Sequence, residues 1–333
     1  MTTDRQVLLS AFADEASASK RFEEQLTAVA AVGLRRYTVR FIDLGDGVKN
    51  AIDLTPGERA RVVELNRQFG LGVATLGSPI GKVKLFDFDD GTANRYVPPE
   101  HYLAEDVTRA CEIANALGTG LIRGFSFYPP KGDDPQAHVA AAVDRLGPIA
   151  ERCAAHGLVF GLEVEANLVG RTGGLLKEIH AQLADAALVL IYDVGNLITQ
   201  GFSPDATYAE YEAMKPGLGW VHVKDYRPLT EPTDTAGYVE EDALSDYRAV
   251  DAGSGVYQRV IADLKGDFDA HAAKAEKLGL AGPLFDLEPH VRGGGQYGWY
   301  SGPDGLGVAM RALCSALEEA GCAHDRRGTV EPL

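Results

Sequence analysis

Short apolar runs alternate with longer amphipathic stretches from one end of this chain to the other, and that alternation restricts the fold more than any other feature. The runs fall at residues 7–12, 36–40, 72–76, 121–125, 159–163, 188–192, 220–223 and 284–287, and each is rich in Val, Ile, Leu, Phe or Tyr. A stretch with helical apolar spacing follows each run. The runs are apolar on both faces rather than alternating, as strands are when helices cover a parallel sheet. Helix ends are marked as well. Thr55-Pro56 opens a helix that Gly70 closes, residues 17–32 stop at Gly33, and residues 135–156 stop at Gly157. Pro or a capping residue at the start and Gly at the end is the expected asymmetry.

Eight β-α units predict an α/β fold, a single (β/α)8 TIM barrel over residues 1–333. A doubly wound open sheet is the rival, but no Gly-rich dinucleotide fingerprint follows the first strand. Two long segments interrupt the rhythm at 87–99 and 226–255. Both follow strands, so both are expected over the active-site mouth.

The chain has 333 residues and a formal net charge of −16, from 48 acidic and 32 basic side chains. Phosphate binding needs a basic footprint, so nucleic acid is an unsuitable partner. No apolar stretch approaches the length of a membrane span and no signal-peptide pattern opens the chain, so a cytoplasmic protein is expected. Cys111, Cys153, Cys314 and Cys322 lack metal or redox spacing and read as small hydrophobes.

Side chains at the carboxyl end of a barrel strand face the mouth, where they contribute little to the core. Strand 5 ends with Glu163 and Glu165, strand 6 with Asp193 ahead of Asn196, strand 7 with His222 and Lys224, and strand 8 with Glu288 and His290. Each has an ordinary alternative: Asp193 as a helix N-cap, His222 as a core histidine, Glu288 as a loop carboxylate. Four consecutive strands delivering Glu, Asp, His and Glu to one rim are harder to explain that way. Carboxylates gathered without a counter-charge would repel, and a divalent cation resolves the conflict. Oxygen donors with one imidazole suit Mn²⁺ best, with Mg²⁺, Co²⁺ or Zn²⁺ as alternatives.

The sequence resembles the xylose-isomerase-like barrels, a family of sugar phosphate isomerases and epimerases. The resemblance runs through ADEAS at strand 1, YTVR at strand 2, GSPIGK at strand 3, IRGFSFYPPKGDDP at strand 4, the four segments above, and LEPH with SGPD downstream. It implies one metal held by Glu163, Asp193, His222 and Glu288, and proton transfer by the paired glutamates. Members often carry a His three residues past the strand 6 Asp, where this chain has Asn196. Glu165 shares a face with Glu163, so spacing leaves open which of the two is the ligand; Glu163 is preferred and Glu165 is given to substrate.

The chemistry expected is isomerisation or epimerisation of a sugar or keto-sugar through an enediolate, with Glu163 and Glu288 as the catalytic pair. Arg40, Lys82 and Arg123 close strands 2 to 4 as cations that either hold substrate or pair with the site's carboxylates. Asn196, Lys224 and His290 complete the substrate set. Arg292 and Gly293 to Gly295 lie where barrels often bind phosphate, but a Gly run alone does not establish a phosphorylated substrate. The main rival is a metal-dependent lyase of the dehydratase or deglycosidase type, which begins with the same proton removal. An apurinic endonuclease would need a larger ligand set, richer in His, and a binding protein without activity would lack the catalytic carboxylates. Barrels of this kind commonly pair, so a homo-oligomer is compatible with the sequence.

Overall fold

The computed structural model describes residues 5–183, 187–228, 230–240, 244–291 and 301–328. Its main sheet holds the eight expected strands, all parallel: β1 (Gln6–Ala11), β2 (Arg36–Val39), β3 (Gly72–Gly77), β4 (Leu121–Gly124), β5 (Val159–Glu163), β6 (Leu188–Asp193), β7 (Leu218–Val223) and β8 (Leu284–Leu287). They pair in the order β2-β3-β4-β5-β6-β7-β8-β1. A parallel bridge from Phe12 to Thr38 brings β1 back to β2 and closes the (β/α)8 barrel. Below that bridge the short strand Ala323–His324 runs parallel to Gln6 and Val7. Asp325 secures it by accepting from the Leu9 amide at 2.9 Å and from Arg36 at 2.6 Å.

Outside the strands lie α1 (Phe22–Ala31), α2 (Pro56–Phe69), α3 (Thr108–Leu117), α4 (Val139–Ala155), α5 (Gly173–Gln182), α6 (Pro204–Met214), α7 (Val256–Gly266) and α8 (Gly302–Glu319). Thr55 caps α2 in a reciprocal box with Glu58, and Gly70 ends it at φ +63°. The first helix begins at Phe22 rather than at residue 17, because residues 13–16 form a tight 3-10 turn and Lys20 sits at φ +59°. Residues 135–138 are likewise a 3-10 turn ahead of α4. The loop expected at 226–255 holds a small antiparallel pair, Asp225–Tyr226 with Tyr247–Arg248. The Asn167 amide ties this loop to the end of β5 by two hydrogen bonds of 2.9 Å with the Val239 backbone. Among the described residues no helix is long and apolar enough to cross a membrane.

The larger apolar core lies between strands and helices, and a smaller cluster of Leu8, Ala74, Leu121, Ile191, Trp220 and Leu284 fills the barrel floor. Because strand side chains alternate, the residue two places after a floor residue also points inward, one layer higher. Trp220 and Leu284 therefore place His222 and Asp286 in the middle layer. Gly161 makes room for the Trp220 indole, since a Cβ there would lie 2.1 Å from the ring.

Gly161→Ala should accordingly be destabilised by about 1–3 kcal/mol through overpacking. Urea unfolding reads this as a lower midpoint at an unchanged slope, and a midpoint equal to the parent's would refute the packing account.

Candidate active site and metal centre

The alternation that fills the floor also builds the site. On β5 it carries Gly161 and then Glu163 inward. On β7 it carries Trp220, His222 and Lys224, and at β8 Leu284, Asp286 and Glu288. Asp193 ends β6 and serves two purposes at once. Its Oδ1 accepts from the Asn196 backbone amide at 3.0 Å, capping the short helix Val194–Ile198, while Oδ2 lies 3.2 Å from the Lys224 ammonium.

Glu163, Asp193, His222 and Glu288 converge, each offering one ligand atom, and these atoms lie within 4.8 Å of one another. All four side chains are buried. His222 Nδ1 stands 3.1 Å from Glu163 Oε1. Among the described residues, Glu163 Oε2, Asp193 Oδ2 and both His222 nitrogens are buried and make no well-formed hydrogen bond, although cationic side chains stand beside the two carboxylate oxygens. Three carboxylates and one imidazole gathered at one buried point make a donor set that fits a divalent ion. Geometry also separates the two candidates on β5. Glu163 joins the cluster, whereas Glu165 reaches Lys82 at 3.0 Å.

Cations accompany the carboxylates, as one of the two alternatives for Arg40 and Arg123 expected. Arg123 lies 3.3 Å from Glu163, Lys224 lies 3.2 Å from Asp193 and 3.4 Å from Glu288, and Arg40 pairs with Glu288. Burial opposes ionisation of Glu163, but the His222 ring and the Arg123 guanidinium outweigh it and hold the carboxyl down at about 2. Glu288 is held well below the usual range despite its burial, by Lys224, Arg40 and His290. Asp193 is different. Burial pushes it up to about 7, more than Lys224 draws it down, with Glu163 adding to the rise.

Above the cluster opens a cavity of about 320 Å³, lined by Arg40, Lys82, Arg123, Glu165, Asn196, Lys224 and His290 among others. Asn196 turns its amide group to Glu163 Oε1 at 3.2 Å and the Val164 carbonyl at 3.0 Å, so its N–H donors support the cluster. The Gly run that begins at Gly293, with Arg292 before it, lies outside the described residues.

A model of the xylose isomerase-like TIM barrel family matches residues 26–316. The chain belongs to this family. Among solved structures, a xylose isomerase-like TIM barrel protein from Mycobacterium smegmatis in complex with magnesium is 18% identical, with TM-score 0.60 over 95% of this chain and 97% of that one. A D-tagatose 3-epimerase-like protein is 14% identical, with TM-score 0.64 over 95% and 98%. The probable 3-DHS dehydratase AsbF of Bacillus anthracis is 16% identical, with TM-score 0.61 over 93% and 98%. At such identities the likeness concerns the fold. No curated protein matches the sequence.

In this xylose-isomerase-like barrel several mouth residues escaped the sequence reading. Asp14 and Glu15, in the turn after β1, line the cavity and pair with Arg40 at 3.0 and 3.2 Å. Glu15 is a hub. It also lies 3.0 Å from His290 Nδ1 and accepts from the Ser301 amide at 3.0 Å, and His290 is held at φ +48°. Their signal was present, because an Asp-Glu pair directly after the first strand occupies the same rim as the later acids. Tyr247 enters from the loop after β7, its ring centroid 5.0 Å from that of His290. Asp286 lay inside a run read as apolar.

Arg40 thus serves three acids at once, Asp14, Glu15 and Glu288. Arg40→Met should cost about 3–5 kcal/mol, the penalty for leaving buried charges uncompensated. Chemical denaturation measures it, and a loss below about 1 kcal/mol, typical of a surface pair, would show the network to be superficial.

Proposed function

We propose that this chain is a divalent-metal-dependent isomerase or epimerase of a keto-sugar. The observation that carries the reading is the convergence of Glu163, Asp193, His222 and Glu288 beneath a cavity of small-molecule size. A divalent ion held by those four residues, with Mn²⁺ or Mg²⁺ suited to the donor set, would polarise a substrate carbonyl and acidify the neighbouring C–H bond.

The chain's own groups then manage the proton. Glu163 and Glu288 come from strands three apart in the barrel, so they approach a substrate from opposite sides. Both stand beside cations, Glu163 beside Arg123 and Glu288 beside Arg40 and Lys224, which favour the ionised form that accepts a proton. One removes the proton beside the carbonyl and later releases it to water, while the partner glutamate takes a proton from water and delivers it to the same or the neighbouring carbon. Arg123 and Lys224 sit close enough to balance negative charge developing on the substrate oxygens. Arg40, Lys82, Glu165, Asn196 and His290 are assigned to the substrate's hydroxyls. The epimerase-like and magnesium-bound neighbours support this reading at the level of the fold.

Its test is proton exchange. Protein stripped with chelator and reloaded with Mn²⁺ is incubated with a panel of ketopentoses and ketohexoses in D₂O and followed by ¹H NMR. Deuterium should enter the carbon next to the carbonyl only with metal present. Glu163→Gln and Glu288→Gln should each lower the rate by at least about 10²-fold. No exchange into any keto-sugar by the reloaded parent would sink the proposal, and an alkene-bearing or shortened product would replace it with a lyase.

A further inference from the structure

Asp286 is buried in the middle of the barrel, 0% exposed, and takes no part in the four-residue cluster. An acid at such a depth is costly unless something uses it, because barrel interiors are ordinarily packed with branched apolar side chains. Its surroundings are built for it. Thr38 donates to Asp286 Oδ2 at 2.5 Å, and Thr75 in turn lies 2.7 Å from the Thr38 hydroxyl. A hydroxyl has one proton, so with Thr38 donating to the acid, Thr75 donates to Thr38. Asp286 Oδ1 is buried without a well-formed hydrogen bond among the described residues, with the buried Ser10 hydroxyl of β1 beside the acid.

His222 lies next to it. Its Nδ1 faces Glu163 at 3.1 Å, and its Nε2 faces Asp286 Oδ2 at 3.9 Å. Phe12 meets the ring edge-on at 5.1 Å and Trp220 packs at 6.4 Å, so apolar neighbours restrict the plane in which it can turn. An imidazole that ligates a metal through one nitrogen carries a proton on the other, and that proton needs an acceptor. Glu163 stands on the Nδ1 side, within the cluster. Asp286 stands on the Nε2 side at 3.9 Å, outside hydrogen-bond range, so a bond between them requires the ring to move toward the acid.

We propose that Asp286 is the positioning residue of His222: it accepts the Nε2 proton, fixes the tautomer, and aims Nδ1 at the metal. The inference rests on the metal-site reading above and concerns a residue outside the ligand set. Thr38 and Thr75 hold the carboxylate in place from β2 and β3, which links the seam where the barrel closes to the ligand on β7.

Calorimetric titration of Mn²⁺ into chelator-stripped parent and Asp286→Asn protein tests it, with circular dichroism melting to follow the fold. The parent should bind one ion per chain, and folded Asp286→Asn should bind about 10–100-fold more weakly, as loss of a ligand's supporting partner does elsewhere. A second measurement needs no variant. In ¹⁵N-histidine-labelled parent with Mg²⁺, the His222 Nε2 proton should give a resonance protected from solvent exchange. Equal Mn²⁺ affinity in folded Asp286→Asn, or a proton found on Nδ1 instead, overturns the role of Asp286 while leaving the metal site standing. A parent that binds no ion overturns both.

Discussion

Bringing three carboxylates to one buried point is the physical demand on which the rest of this molecule depends. Glu163, Asp193 and Glu288 leave water when the barrel closes, and an unpaired buried carboxylate costs several kcal/mol. The answer is a shell of cations drawn from strands on both sides of the axis, with Arg123 on β4, Lys224 after β7 and Arg40 after β2. Asp193 is the acid left least compensated, and burial raises it accordingly. The site is therefore tolerable without an ion while still presenting three carboxylates and an imidazole at one point. Asp14, Glu15 and His290 extend the same network outward, so the mouth is one connected set of charges rather than a group of separate pairs.

Strand periodicity decides which residues meet that demand. One inward face carries Trp220, His222 and Lys224 from floor to mouth, and another carries Leu284, Asp286 and Glu288. Moving either strand by one residue would turn all three outward together. Packing below the site and chemistry within it are thus set by the same register. Gly161 illustrates the coupling: the space it leaves for Trp220 sits one step below Glu163 on β5.

The eight strands were legible because an apolar run bounded by Gly or Pro is a local signal. The four clustered residues were legible because equivalent positions on neighbouring parallel strands must converge. Other features depend on pairing that spacing does not encode. Lys82, for one, lies 3.0 Å from Glu165 while both line the cavity. The late start of α1 reflects a tight turn and a left-handed Lys20, in residues 17–21 that carry no apolar period of their own. Asp286 shows a signal present but passed over, since an acid two residues before a strand-end glutamate must share its inward face. Asp193 shows that two readings can both hold, as a cap through one oxygen and a site group through the other.

The account stands on one ion held jointly by residues from four strands. Anomalous diffraction at the manganese edge, on crystals grown with Mn²⁺, tests it most directly. A single peak at about 2.0–2.3 Å from Glu163, Asp193, His222 and Glu288 is the predicted result. A map with no peak inside the barrel, or with its peak among other side chains, would contradict it.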